Sequence, residues 1–465
     1  MGSIDVNSKI NLRGIELIFS NPSVNRRLEV EFPEGVWENF PDKLKEIWTH
    51  NLVYLATVEL TLMFKAKEIR YNTPFPLLKP FFDELFMKSF TYSGDVDSEQ
   101  SFRYHQQLLN LNFSFSENAP SYQTIAPKVK ESSINTLTFG KESLLSLGLA
   151  REIGLNPTPV TVIDNDLDVE FRGEKIKSFT NKHLWNLIPQ LEKELKVKVN
   201  TVKNELCKLR CNVEWDLDDT DLGSANVITE FLFMCLPFSY SHHSKYIVFG
   251  NENSCNKYYY SKEGVKCYAV YDQSPDWMKH MNALTSILTQ GKVQVVSLVQ
   301  PLHEMAVAKV LYQRYPHLAQ YQTSCHADEL SAEENRWCHA CAKCATCFAF
   351  MKGLGFNPEQ VGLKDMFRLE YKHLFSLFNT HKDISQGYYS MQLARDEQLF
   401  AFYLAAKRGV QGELMDLFQK EFGKEAAARE EELKEEIFKL HEPENIPLEL
   451  WEKLKPIFEE ELKKQ

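Results

Sequence analysis

The sequence contains no apolar run near the ~18 residues that a membrane-spanning helix needs. The best candidate, 227–238, is interrupted by Glu230 and Pro237. The first ten residues hold neither a basic cluster nor an apolar stretch, so no secretory signal is read there. Gly2 follows Met1, but Val6 stands where a myristoylation signal needs Ser or Thr. Internal repeats are lacking, as are the Walker pattern and the dinucleotide fingerprint. A basic excess is lacking too: 53 Lys and Arg stand against 64 Asp and Glu, a net charge of −11. That balance argues against duplex nucleic acid as a partner. The expectation is a soluble chain of the cytoplasm with no membrane span.

What is present supports a large core. The chain is 43% apolar and 12% aromatic over 465 residues, enough for two to four domains. Charge is uneven. Residues 411–465 carry 16 acids and 9 bases, a balance of −7, whereas the preceding residues carry only −4 of the total of −11.

Hydrophobic periodicity divides the chain into three regions. Residues 1–125 read as an α+β unit, with strands over 15–19 and 28–32 and a helix over 51–67. A polar linker with Pro120 and Pro127 follows. Residues 126–378 alternate strands and helices, which implies a parallel sheet with helices on both faces. Strands are expected over 135–138, 159–163, 246–249 and 293–299, and helices over 144–153, 185–195 and 225–236, with another from near His303. Residues 379–465 read as helical, with acid-then-base pairs four apart such as Glu435 and Lys439. Leu433, Ile437 and Leu440 form an apolar stripe that suits a docked helix.

Two motifs carry chemistry. The first is Thr138-Phe139-Gly140-Lys141-Glu142-Ser143, between an expected strand and an expected helix. A helix N-terminus offers free backbone N–H groups and partial positive charge, which suit phosphate. Gly140 lets the backbone approach an anion, Ser143 adds a hydroxyl and Lys141 a charge. The second motif is a cysteine cluster. Cys325 precedes Cys338-His339-Ala340-Cys341-Ala342-Lys343-Cys344. Four thiolates at such spacing can surround one zinc ion, and an iron–sulfur cluster is an alternative. Cys347 supplies a fifth thiol, so spacing alone does not assign the ligands.

The loop resembles the pyrophosphate-binding loop of the N-type ATP pyrophosphatases (the PP-loop superfamily). Thr138, Gly140, Lys141 and Ser143 match in kind, Phe139 replaces a glycine and Glu142 an aspartate. The cysteine spacing is similar to the structural zinc site of 7-cyano-7-deazaguanine synthase, a member of that superfamily. Gly250-Asn251-Glu252, Pro301 with His303 and Glu304, and Trp337-Cys338 to Cys344 occur in the same order as segments of one family. That family is the MurL family of ATP-dependent UDP-N-acetylmuramoyl-L-alanyl-L-glutamate epimerases.

The resemblance implies an adenine nucleotide alpha hydrolase-like α/β fold and cleavage of ATP to AMP and pyrophosphate. It also implies Mg2+ on the phosphates, Zn2+ on Cys325, Cys338, Cys341 and Cys344, and a small-molecule or peptide-like carboxylate as acceptor. Thr138, Gly140, Lys141, Ser143 and Asn251 would bind the nucleotide. Lys141, Glu252, His303 and Glu304 are the catalytic candidates, and Asp272 and Glu397 are further acids or bases. An activated acyl group could lose and regain its α-proton, giving epimerisation, or meet a nucleophile. Two other readings compete: a nucleobase- or RNA-modifying enzyme on the same scaffold, and a non-catalytic zinc-containing interaction protein.

Overall fold

The computed structural model describes residues 2–98, 100–118, 120–218, 220–223, 225–325, 327, 330–379 and 391–464. The expected helical region 379–465 therefore lies partly outside the described residues. Fourteen strands run in chain order: β1 Ser3–Ile10, β2 Gly14–Asn21, β3 Val24–Glu31, β4 Glu68–Tyr71, β5 Asn112–Ser114, β6 Lys130–Thr136, β7 Thr158–Asp164, β8 Asp168–Phe171, β9 Glu174–Lys177, β10 Asn200–Asn204, β11 Ser244–Phe249, β12 Tyr258–Tyr260, β13 Lys266–Tyr268 and β14 Gln294–Ser297. Ten of them form one sheet in the order β14-β11-β6-β7-β10-β3-β2-β1-β4-β5. The five strands β14 to β10 in that order are mutually parallel. The expected α/β class, with a largely parallel sheet, an N-terminal α+β part and C-terminal helices, is the architecture found.

The N-terminal meander joins this sheet by antiparallel pairing of β3 with β10, where Asn204 faces Val30. One ladder thus runs from the first strand to the last. The strands bury both faces, and alternation assigns each side chain to a face. Along β11, Tyr246 and Val248 enter one core, while Ile247 and Phe249 enter the other. The first core also holds the helices Lys141–Glu152, Thr180–Leu195, Glu304–Arg314 and Ala342–Leu354. The second holds Asp42–Met63, Val227–Ser241 and Pro275–Thr289.

Chain order within the parallel part matters for function. The chain leaves β6 toward β7 and β10, then returns to the other side of β6 to form β11 and β14. The strand order therefore reverses between β6 and β11. Crevices at the carboxyl ends of strands flanking such a reversal are where open α/β sheets bind ligands.

Several elements differ from expectation. The long N-terminal helix begins at Asp42, not at 51, because Pro41 sits at its N-cap with extended backbone and Asp42 occupies the first turn. The strand expected over 135–138 is β6, displaced toward the N-terminus, and its last residue is Thr136. The C-terminal stripe docks: Leu433 and Ile437 are buried in the first core. Among the described residues, no helix is long and apolar enough to cross a membrane.

Candidate functional site

The loop 138–143 leaves β6 at the reversal point. Phe139 adopts φ +58°, in the left-handed region that favours glycine. The backbone thus keeps a glycine-like conformation at the position where the resembling loops carry glycine. Left-handed backbone costs a bulky residue about 1–2 kcal/mol. The Phe139 ring is fully buried, and burying such a ring contributes about 1.5–3 kcal/mol, enough to offset the strain.

Gly140 caps the twelve-residue helix Lys141–Glu152, whose N-terminus receives no side-chain cap. Its first-turn N–H groups and partial positive charge face the loop. The Ser143 hydroxyl donates to the Gly140 carbonyl at 3.0 Å and accepts the Thr138 N–H at 3.3 Å. Gly250, just past β11, packs on this turn. A Cβ there would lie 2.7 Å from Glu142 Cβ and 3.2 Å from Ser143 N, so only glycine allows the approach.

Lys141 is buried, and its ammonium lies 2.6 Å from a carboxylate oxygen of Glu142 and 2.6 Å from one of Glu304. Glu304 opens the helix Glu304–Arg314, and its N–H donates to Ser254 Oγ at 3.1 Å. That hydroxyl also shares a 3.1 Å hydrogen bond with His303 Nδ1. Glu252 is buried beside them and accepts the Ser254 N–H and the Cys255 thiol. The structure thus gathers Thr138, Gly140, Lys141, Ser143, Glu252, His303 and Glu304 at the ends of three parallel strands.

Burial, followed by the charge of Glu304, raises the Glu252 carboxyl to about 7. Burial lowers the fully buried His303 imidazole to about 2, so it is neutral at physiological pH. An acid or base works best when its pKa lies near the operating pH, which favours Glu252 over His303.

The shift at Glu252 also sets a pH dependence. Below the ordinary value of 4.5, folded and unfolded chains both hold this proton. From there to about 7, only the folded chain keeps it, so stability falls as pH rises through that window. Glu252→Gln is expected to flatten the decline, by roughly 1–3 kcal/mol between pH 4.5 and 8. Urea unfolding of both proteins across that range measures it. Parallel curves would show that Glu252 carries no such shift.

The other candidates are held by other partners. The Asn251 amide points to Met278 Sδ, 3.5 Å away. Asp272 is buried in the turn Tyr271–Gln273, where burial raises its carboxyl to about 7, and the Ile228 N–H bonds to it. Glu397 accepts the Met305 N–H at 2.8 Å, in the first turn of the Glu304–Arg314 helix.

The four sulfurs of Cys325, Cys338, Cys341 and Cys344 lie within 4.8 Å of one another. Cys338 N–H donates to Cys325 Sγ at 3.3 Å, Ala340 N–H to Cys338 Sγ at 3.3 Å and Cys344 N–H to Cys341 Sγ at 3.5 Å. Such donors stabilise thiolates, and a buried set of thiolates needs a cation. Hydrogen bonds from Cys325, then from Cys338 and Cys344, hold the Cys341 thiol well below its ordinary range. The donor set can hold a metal ion such as zinc.

Cys347 lies outside this group. It accepts from Gln322 Nε2 at 3.5 Å, and burial raises its thiol to about 12. Gln322 also bonds the buried Tyr312 hydroxyl and Ser324 Oγ. Gln322 and Ser324 of this polar seam belong to the segment that leads to Cys325. The seam's only sequence signal is the fifth cysteine.

A cavity of about 650 Å3 lies where Lys257 and Tyr258 meet the C-terminal helices. Lys257, Tyr258, Leu393, Asp396 and Glu436 help line it. Glu436 connects it to the cluster, with a carboxylate oxygen 3.7 Å from His303 Nε2. The chain matches no known family model, and no curated protein matches it.

Proposed function

We propose that this chain is an ATP pyrophosphatase-type enzyme that adenylates a substrate carboxylate and releases pyrophosphate. The observation that carries the reading is the uncapped helix N-terminus at Gly140, joined by Lys141 and Ser143 at the point where the strand order reverses. An acceptor carboxylate oxygen would attack the α-phosphorus of ATP. The bond from that phosphorus to the bridging oxygen would break, leaving an acyl adenylate and pyrophosphate. Loop N–H groups, the Ser143 hydroxyl and the Lys141 ammonium would stabilise charge on the leaving pyrophosphate.

Glu142 and Glu304 give the cluster more negative charge than Lys141 offsets, and this fits a divalent cation arriving with the nucleotide. Glu142, Glu252 and Glu304 would hold such a cation, and magnesium would offset phosphate charge when bound. Zinc on the four cysteines is read as structural. The cavity lined by Lys257 and Glu436 would give room for a small or peptide-like acceptor. Epimerisation, as in the MurL family, would use a base for the α-proton of the activated acyl group, and Glu252 has the better-matched pKa.

One observation favours a non-catalytic reading. Lys141 is already held by two carboxylates at 2.6 Å, and a phosphate would have to compete with them.

The test is product analysis with Mg2+-ATP and a panel of carboxylates. AMP and pyrophosphate in equal amounts, dependent on one acceptor, are expected. Lys141→Ala and Ser143→Ala should each lower turnover by roughly 10–150-fold, the worth of a charge-assisted bond. ADP as the main product would assign the wrong phosphate chemistry. Failure to bind ATP at all would favour the non-catalytic reading.

A further inference from the structure

We propose that segment 322–325 is a strap through which metal on the four cysteines sets the affinity of loop 138–143 for pyrophosphate groups, with Thr323 as its positioning residue. This rests on the phosphate-loop reading above. The Thr323 N–H donates to the Phe139 carbonyl at 2.8 Å. Phe139 is the loop residue held in the left-handed region, at φ +58°. The Thr323 hydroxyl donates to the Arg336 carbonyl at 2.9 Å. Two residues along each branch stand the cysteines Cys325 and Cys338, whose own bond, Cys338 N–H to Cys325 Sγ, measures 3.3 Å.

The result is a closed ring: loop carbonyl, Thr323, Cys325, Cys338, Arg336 and back to Thr323. Ser324 completes the contact, with Oγ 3.9 Å from where a Cβ on Gly140 would stand. A metal ion fixes Cys325 against Cys338 and so fixes the Thr323 N–H. Without it, the sulfurs have only weak contacts with one another, such as Cys341 to Cys344 at 3.5 Å. The strap is then held by its hydrogen bonds alone, which can open more readily. Phe139 loses the hydrogen bond that opposes relaxation to negative φ, and the N–H groups of Gly140 and Lys141 turn away from the anion position.

Coupling between two sites is reciprocal. Metal should tighten pyrophosphate binding, and pyrophosphate should tighten metal binding by the same factor.

The experiment uses the full chain and inorganic pyrophosphate as the probe. Calorimetric titration compares zinc-loaded protein with protein stripped by a chelator. The loaded protein should bind pyrophosphate about tenfold more tightly, an ordinary coupling strength. Cobalt substituted at the cysteines supplies a spectroscopic signature, and its visible bands should shift when pyrophosphate is added.

Stripping could also loosen the fold, so a metal-loaded variant decides the matter. Replacing the 323 amide by an ester deletes the N–H and keeps the hydroxyl that bonds the Arg336 carbonyl. This variant should retain the full metal content and bind pyrophosphate about 3–10-fold more weakly, the worth of one hydrogen bond. Equal affinity in loaded and stripped parent, or unshifted cobalt bands in the parent, overturns the strap. If the loaded parent binds no pyrophosphate, the phosphate-loop reading falls and the strap with it. Binding that is insensitive to the ester defeats the strap alone.

Discussion

Replacing Lys141 with methionine is expected to lower the stability of the folded chain by about 3–5 kcal/mol, the usual result of removing one partner from a buried ion pair. The side chain is 5% exposed, and Glu304 is 6% exposed. Methionine keeps most of the apolar stem but leaves the Glu304 carboxylate without its 2.6 Å ammonium partner. Glu142 is 23% exposed and can turn toward water, so most of the loss belongs to Glu304. A second change tests that assignment. Glu304→Gln in the Lys141→Met background removes the stranded charge and should recover a large part of the loss. Urea unfolding of the parent, the single variant and the double variant measures all of this. A loss under about 1 kcal/mol, the range of exposed pairs, would mean that the pair is effectively solvated.

The same pair shows where sequence reading reaches its limit. Gly140, Lys141 and Ser143 were legible because a strand, a turn and a helix follow one another over a short span. The cysteines were legible because metal ligands recur at short spacing. The partnership of Lys141 with Glu304 joins residues 163 positions apart. No local pattern encodes it, although each residue was separately a candidate. Phe139 looked like a departure from a glycine position, yet its backbone takes the glycine-like conformation and its ring fills the core.

The strap was invisible for a different reason. Its main contact joins the Thr323 N–H to the Phe139 carbonyl, and backbone atoms are the same in every residue except proline. Among the strands that escaped, β1 and β10 did so through polarity. In β1, Ile4 and Val6 are buried while the outward residues are polar, and β10 reads Asn-Thr-Val-Lys-Asn with Val202 fully buried. The pairing of β10 with β3 rests on ladder hydrogen bonds that carry no side-chain signature. The continuous sheet therefore appeared only in three dimensions.

Cys344→Ala should show the second large effect, because it tests the donor set at its most buried member. Cys344 is fully buried at the start of the helix Ala342–Leu354. Its sulfur lies 3.8 Å from that of Cys338 and 3.5 Å from that of Cys341. Four-cysteine zinc sites draw about 10–16 kcal/mol of apparent binding energy, so one ligand of four is worth roughly 3–4 kcal/mol. Alanine also leaves three thiols facing a gap, and two of them, Cys325 and Cys338, are buried. The variant should lose most of its bound metal and about 3–4 kcal/mol of metal-dependent stability at saturating zinc. Elemental analysis and unfolding curves at two zinc concentrations measure this directly. Cys347→Ala is the matched control. It deletes a buried thiol from the neighbouring seam, outside the group of four, so metal content should stay at one ion per chain. Parent protein that carries no metal when purified without chelators would remove the basis for the metal centre. Equal metal loss from both variants would mean that the fifth thiol belongs to the site and that its ligands have been assigned wrongly.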